Sequence, residues 1–235
     1  MLTFPTGLFV PSALTPELVG ASVSGGQSLS GLAQNAATSG GGFWQITFGE
    51  AVLWDRNKFN TWRAIAAQSD GGATPFIVPL CDRVHQCFLP SQVKRGVGIG
   101  NGDDTRFSDG ALWPAEYITA TIPASAALRT TNLNIAIAGG AALTGGEFFT
   151  IWHATKGQRL YCVTQVNSQG DGLANITIRP PLREATASGV TLDFDNPRCQ
   201  MNVVGQIAPT LEQLRFGKSP TLKFVENFQP PSLFP

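Results

Sequence analysis

From residue 143 onward, short apolar runs with strand-like alternation are separated by glycine-bearing turns. Five runs read as strands, at about 147–153, 158–166, 173–179, 190–194 and 199–204. The turns between them are Lys156-Gly157, Gly170-Asp171-Gly172 and Ser188-Gly189. Two of these are the short glycine-containing loops that hairpins favour. A period of two gives each strand one face to bury, so neighbouring strands must share a core. Short strands at spacings near ten residues predict a β-barrel or a sandwich.

The preceding segments extend this pattern. In 43–54, Trp44, Ile46, Phe48, Val52 and Trp54 share one parity, which predicts a strand with one buried face, bent at Gly49. Asp55 is a candidate N-cap for a helix over 56–68, where Phe59, Trp62, Ile65 and Ala66 form one apolar stripe. That helix is too short to persist alone and must pack on a sheet. Gly71-Gly72 ends it. Pro75–Leu80 reads as an edge strand because of its prolines. Further strands are predicted over 113–122, around Leu133, Ile135 and Ile137, and over 221–227, with a helical turn over 208–214. The fold class is therefore mainly β, with barrel or sandwich modules and one helix. Three regions follow: a Gly/Ser/Ala-rich arm or loop over 1–42, a main β-rich module of one or two subdomains over 43–205, and a C-terminal strand with a Pro-rich tail over 206–235.

Composition excludes several functions. The 235 residues carry 16 Lys+Arg and 16 Asp+Glu, for a net charge of zero. Phosphate neutralisation needs clustered cations, so no specific nucleic-acid binding is expected. Hydrophobic content of 43% is too high for a disordered chain. The 26 glycines and 16 prolines follow no triplet, which excludes collagen. Only 14% of residues are charged, a low figure for a chain whose surface faces water alone, and this hints at assembly. Met1-Leu2-Thr3-Phe4-Pro5 has no basic region or apolar run, and no membrane span or signal peptide is expected.

Candidate chemistry is sparse. Cys81, His85 and Cys87 fall within seven residues, with Cys162 and Cys199 further on, but the spacing is not that of a zinc site. They read as small buried hydrophobes rather than as a metal site or a disulfide. His153 reads as structural rather than as a general base. Asp103-Asp104 reads as a solvated turn. Asp193 and Asp195 read as the solvent face of a strand, with a glycosidase-like pair as the sharper alternative. The Gly96–Gly102 run lacks the Lys-Ser/Thr of a phosphate loop. Trp113 is the kind of exposed aromatic a carbohydrate platform would use, and it suits a strand start equally well. No enzyme and no cofactor are predicted. Two classes remain: a structural subunit that assembles with its own copies, and a carbohydrate- or receptor-binding β-module.

A longer set of residues carries a resemblance. Leu143-Thr144-Gly145-Gly146-Glu147-Phe148-Phe149 leads to Gly157-Gln158-Arg159-Leu160-Tyr161-Cys162-Val163. Ile176-Thr177-Ile178-Arg179-Pro180-Pro181-Leu182-Arg183-Glu184 follows, then Gly189, Phe194, Pro197, Cys199 and Met201. This order resembles tail and baseplate proteins of long-tailed bacteriophages and phage-like gene transfer agents. Gly26-Gln27-Ser28-Leu29-Ser30-Gly31, Trp62-Arg63-Ala64 and Pro75-Phe76-Ile77-Val78-Pro79 resemble the front half of the same proteins, so the similarity spans most of 20–205. Within them the distal tail proteins look most similar, with tail hub proteins as the runner-up. The resemblance implies a non-enzymatic oligomeric ring, hexameric rather than trimeric. The ring would join the tail tube to the hub and receptor-binding proteins. It implies a virion-tail location after synthesis in the bacterial host cytoplasm. Arg179, Pro180, Pro181 and Arg183 become candidate interface residues. Both terminal arms are expected to cross onto neighbouring subunits.

Overall fold

The computed structural model describes residues 1–9, 11–27, 29–31, 33–38, 40–80, 118–205, 207–211 and 217–234. The protein is mainly β with a single α-helix among the described residues. Two hydrophobic cores organise it. One fills a closed six-stranded barrel and the other lies against an open five-stranded sheet.

The barrel is built from β7 (Thr119–Ile122), β8 (Asn132–Ala138), β9 (Phe148–His153), β10 (Gly157–Gly170), β11 (Leu173–Arg179) and β12 (Val190–Asp193). They close in the order β10-β11-β8-β7-β12-β9, each pair antiparallel. Alternate residues point inward. Leu133, Ile135, Phe149, Ile151, Tyr161, Val163, Ile176, Ile178 and Leu192 are all buried. Phe149 stacks on Tyr161 with centroids 5.6 Å apart and lies 5.0 Å from Phe194. A barrel this small is filled by its own side chains and has no lumen.

The sheet takes strands from both sides of the barrel in sequence. β1 (Leu14–Val19), β4 (Phe43–Phe48), β16 (Leu222–Glu226), β13 (Arg198–Val204) and β6 (Phe76–Pro79) lie in that order, all antiparallel. The barrel is thus inserted between β6 and β13. The strand predicted over 221–227 is central, and the proline-bearing β6 lies at the end of the five-strand order. The N-terminus continues beyond β6: Thr3 bridges Ile77 in parallel, and Phe4 N–H donates to the Ile77 carbonyl at 2.8 Å.

The 1–42 region differs from a plain arm because it carries two core aromatics and an edge strand. Phe4 is fully buried, 5.2 Å from Phe48 and 5.0 Å from Phe224, edge to face. Phe9 is buried against Trp62 at 4.9 Å. Burying each ring contributes about 2–3 kcal/mol. Helix α1 (Arg56–Gln68) therefore meets the sheet through Phe4 and Phe9, with Trp62 and Ile65 buried beneath it. The Asp55 carboxylate accepts from Lys58 N–H at 2.7 Å and caps the helix. Trp62 Nε1–H donates to the Ile207 carbonyl at 2.8 Å.

The 43–54 segment departs from its predicted parity. Trp44, Ile46 and Phe48 are buried as expected, but Val52 and Trp54 are 55% and 61% exposed and Leu53 is buried. The cause is an irregularity at Gly49-Glu50, where Gly49 N–H donates to Ala13 O and Glu50 O accepts from Ser12 N–H. Shifting a strand by one residue moves its side chains to the other face. A short β5 (Val52–Leu53) then joins β15 (Gly217–Lys218), which pairs with β14 (Thr210–Leu211). Within the predicted helical turn at 208–214, Thr210–Leu211 is strand.

Candidate functional site

The sequence singled out the corner after β11. The Arg179–Pro180 peptide bond is cis. Arg179 is exposed, and its Nη1 donates to the neighbouring Ile178 carbonyl at 3.1 Å. Pro180 is buried. Pro181 is half-buried and faces Gly41: a Cβ at Gly41 would lie 2.2 Å from Pro181 Cδ. Gly41 also has φ +67, which an L side chain rarely adopts.

Arg183 is committed within its own chain. Nη1 donates to Gly40 O and Nη2 to Gly42 O, each at 2.7 Å. Nη2 also lies 3.0 Å from Glu226 Oε2. The other oxygen of Glu226 is 3.7 Å from Arg159 Nη1. The side chains of Arg159 and Glu226 are fully buried, and that of Arg183 is 9% exposed. Arg159 Nη1 further donates to Asn227 O, and Trp44 N–H donates to Glu226 Oε2 at 3.0 Å. Both guanidiniums lie over the Phe228 ring, at 5.4 and 4.9 Å. One carboxylate thus ties together β10, the corner after β11, β4, β16 and the root of the segment preceding β4. The motifs GQRLY and PPLRE meet here, although nothing in the sequence pairs them with Glu226.

The network continues into the barrel. Arg183 N–H donates to the Tyr161 hydroxyl at 3.0 Å, which is 2.7 Å from His153 Nε2. Burial pushes the His153 imidazole down to about 4. Glu184 opposes this shift, while Arg159 and Arg183 add to it. Burial also pushes the Tyr161 phenol well above its ordinary value. Burial pushes the Cys199 thiol up to about 12 and the Cys162 thiol up to about 11. For Glu184, burial pushes the carboxyl up, but hydrogen bonds from Thr155 N–H and Oγ1–H and from Lys156 N–H outweigh it, and the net direction is down. His153, Tyr161 and the two thiols are thereby held in their neutral forms at pH 7.

What the corner clamps is a hairpin. Among the described residues, β2 (Ser22–Gln27) and β3 (Ala33–Ala37) pair only with each other, from Ser22↔Ala37 to Gln27↔Ala33. Every β2 residue is exposed, as are Asn35, Ala36 and Ala37 of β3. Val23 is 59% exposed and Leu29 is fully extended into solvent. No charged residue occurs between Glu17 and Glu50. The root is fixed by Thr38 N–H and Oγ1, which donate to Ala21 O, and by Arg183 on Gly40 and Gly42.

The remaining sequence candidates are scattered. β12 ends at Asp193, whose Oδ1 accepts from Asn196 N–H and whose Oδ2 is 3.0 Å from Arg198 Nη2. Asp195 is buried rather than on a solvent face, and its Oδ2 accepts from Ile118 N–H at 3.2 Å. Cys81, His85, Cys87, Gly96–Gly102, Asp103, Asp104 and Trp113 lie outside the described residues. Among the described residues, no group of three or more His, Cys, Asp or Glu is placed to hold a metal ion. None of the described helices is long and apolar enough to cross a membrane. No protein-family model matches the chain, and no curated protein matches it.

Proposed function

We propose that this protein is a structural subunit of a bacteriophage tail tip or baseplate that closes into a ring through its β2–β3 hairpin. The observation that carries this reading is a hairpin that is clamped at its root and exposed throughout β2 and at Asn35, Ala36 and Ala37 of β3. A two-stranded hairpin alone is marginal in water. Both edges of the five-stranded sheet are guarded: the N-terminus covers β6, and β1 carries Pro16 and Glu17. The hairpin has neither charge nor proline in its strands. At about 3.3 Å per residue, it reaches roughly 20 Å from its root. Its occupant is the surface of the next copy. A head-to-tail contact of this kind generates a ring when the rotation closes.

The sequence resemblance supports a distal tail position, with a hexamer rather than a trimer. Neighbours would be the tail tube, the hub and the receptor-binding proteins. Because the barrel is filled by its own side chains, an axial channel has to run between copies. The test is to delete 22–37 while keeping Gly20, Ala21 and Thr38, and to compare masses by light scattering. The full chain is expected to be a closed oligomer and the deletion variant a folded monomer with the same melting profile. A monomeric full chain, or a variant that assembles equally well, would overturn the reading.

A further inference from the structure

On the outer face of the barrel, where β9, β10 and β12 meet the start of β13, lies an open cleft with a volume of about 170 Å³. The geometry points to this cleft as a binding site for one neutral hexopyranose unit of a saccharide. Trp152 is 69% exposed there, the most open of the described tryptophans. A single exposed aromatic is ordinary. Its surroundings are not. Gln158 sits directly across from Trp152 in the β9–β10 register and is only 8% exposed. Its Oε1 is buried with no hydrogen-bond partner among the described residues. Arg198 Nε is in the same state. Buried polar groups in folded proteins are nearly always paired, so an acceptor and a donor without partners on two residues that line one cleft are the groups a polar occupant would satisfy.

The chemistry of that ligand follows from the lining. It must give a donor to Gln158 Oε1 and an acceptor to Arg198 Nε, and a hydroxyl does either. It must lay an apolar face on the Trp152 ring, as the axial C–H groups of a pyranose do. It must also be uncharged. Arg198 is the one cation among the lining residues, and it is already paired with Asp193 at 3.0 Å, which leaves little to attract phosphate, sulfate or carboxylate groups. A peptide backbone is the poorer occupant. β12 is paired on both sides and the barrel is closed, so no strand edge is open for ladder bonds. Thr150 anchors the floor of the cleft, since its Oγ1–H donates to Arg198 O at 2.7 Å and accepts from Arg198 N–H. The volume of the cleft suits one ring rather than an extended chain, and a small turn of the Gln158 and Arg198 side chains would present their unpaired atoms to it.

The test is saturation-transfer NMR on the full chain with a panel of methyl β-pyranosides of glucose, galactose and N-acetylglucosamine. At least one is expected to bind with a Kd of about 1 mM, with transfer strongest to the protons of the face that meets Trp152. Trp152→Ala removes an exposed ring without touching the core, and should weaken binding at least about tenfold. Gln158→Leu fills the same space without an acceptor and should weaken it similarly while the melting temperature holds. No binding by any panel member, or equal binding to Trp152→Ala, would overturn the inference. The readout needs no oligomer, so it can fail or succeed independently of ring assembly.

Discussion

Replacing Glu226 with Gln tests the energetic centre of the fold. The substitution keeps the side-chain shape and an acceptor for Trp44 N–H but removes the carboxylate that faces both Arg159 and Arg183. Breaking a buried ion pair by removing one partner costs about 3–5 kcal/mol, because the remaining charge is left uncompensated. That is a large share of the ~5–15 kcal/mol by which domains are stable. For a chain of this size, it corresponds to a melting temperature lower by roughly 6–20 °C. The reverse change behaves differently. Arg159 is fully buried with Nε and Nη2 unpaired among the described residues, and it shares its carboxylate with Arg183. Arg159→Met leaves a neutral Arg183–Glu226 pair and should cost no more than about 1 kcal/mol. In the Glu226→Gln background, the same change should recover about 1–3 kcal/mol. The assay is urea unfolding followed by tryptophan fluorescence, since buried Trp44 and Trp62 both lie in the sheet core. A loss below about 1 kcal/mol for Glu226→Gln, or strictly additive single substitutions, would refute the reasoning.

Three further outcomes are expected. Gly41→Ala places a methyl against the Pro181 ring at a positive φ, so it should destabilise by at least about 2 kcal/mol and displace the hairpin root, seen as loss of amide protection at Thr38 and Gly41. Asp55→Ala removes the α1 cap and should cost about 0.5–2 kcal/mol in the urea midpoint. Between pH 6.5 and about 4, the unfolded chain takes up a proton at His153 that the native protein refuses. Stability from this site is therefore present above pH 6.5 and lost as the pH falls to about 4, up to about 3 kcal/mol in all at 1.36 kcal/mol per pH unit. A His153→Gln variant should show a flatter dependence than the wild type in that window, and identical slopes would contradict it.

How much of this was legible in the sequence depends on the range of the signal. β9, β11 and β13 stand where their alternation placed them, and α1 runs over the span marked by its stripe and by Asp55. These are local patterns. Phe4 and Phe9 sit among prolines and glycines with no period, so nothing local marks them as core. The exposure of Val52 and Trp54 follows from a one-residue irregularity at Gly49, which flips parity without breaking the apolar count. Arg183 reads as a free corner cation until the fold brings it to Glu226, 43 residues away. Trp152 shares its parity with half-buried Phe148 and buried Thr150, and alternation alone does not say which outward residue stays open. The pairing that closes the barrel, such as β7 with β12, is set by contacts too distant for a sequence period to encode.

Negative-stain microscopy of the purified full chain tests the central claim most directly. The account predicts closed rings of a single size, with a mass near six times 24.9 kDa and a central channel between subunits. A featureless monomer at the highest attainable concentration, with no rings, would contradict it.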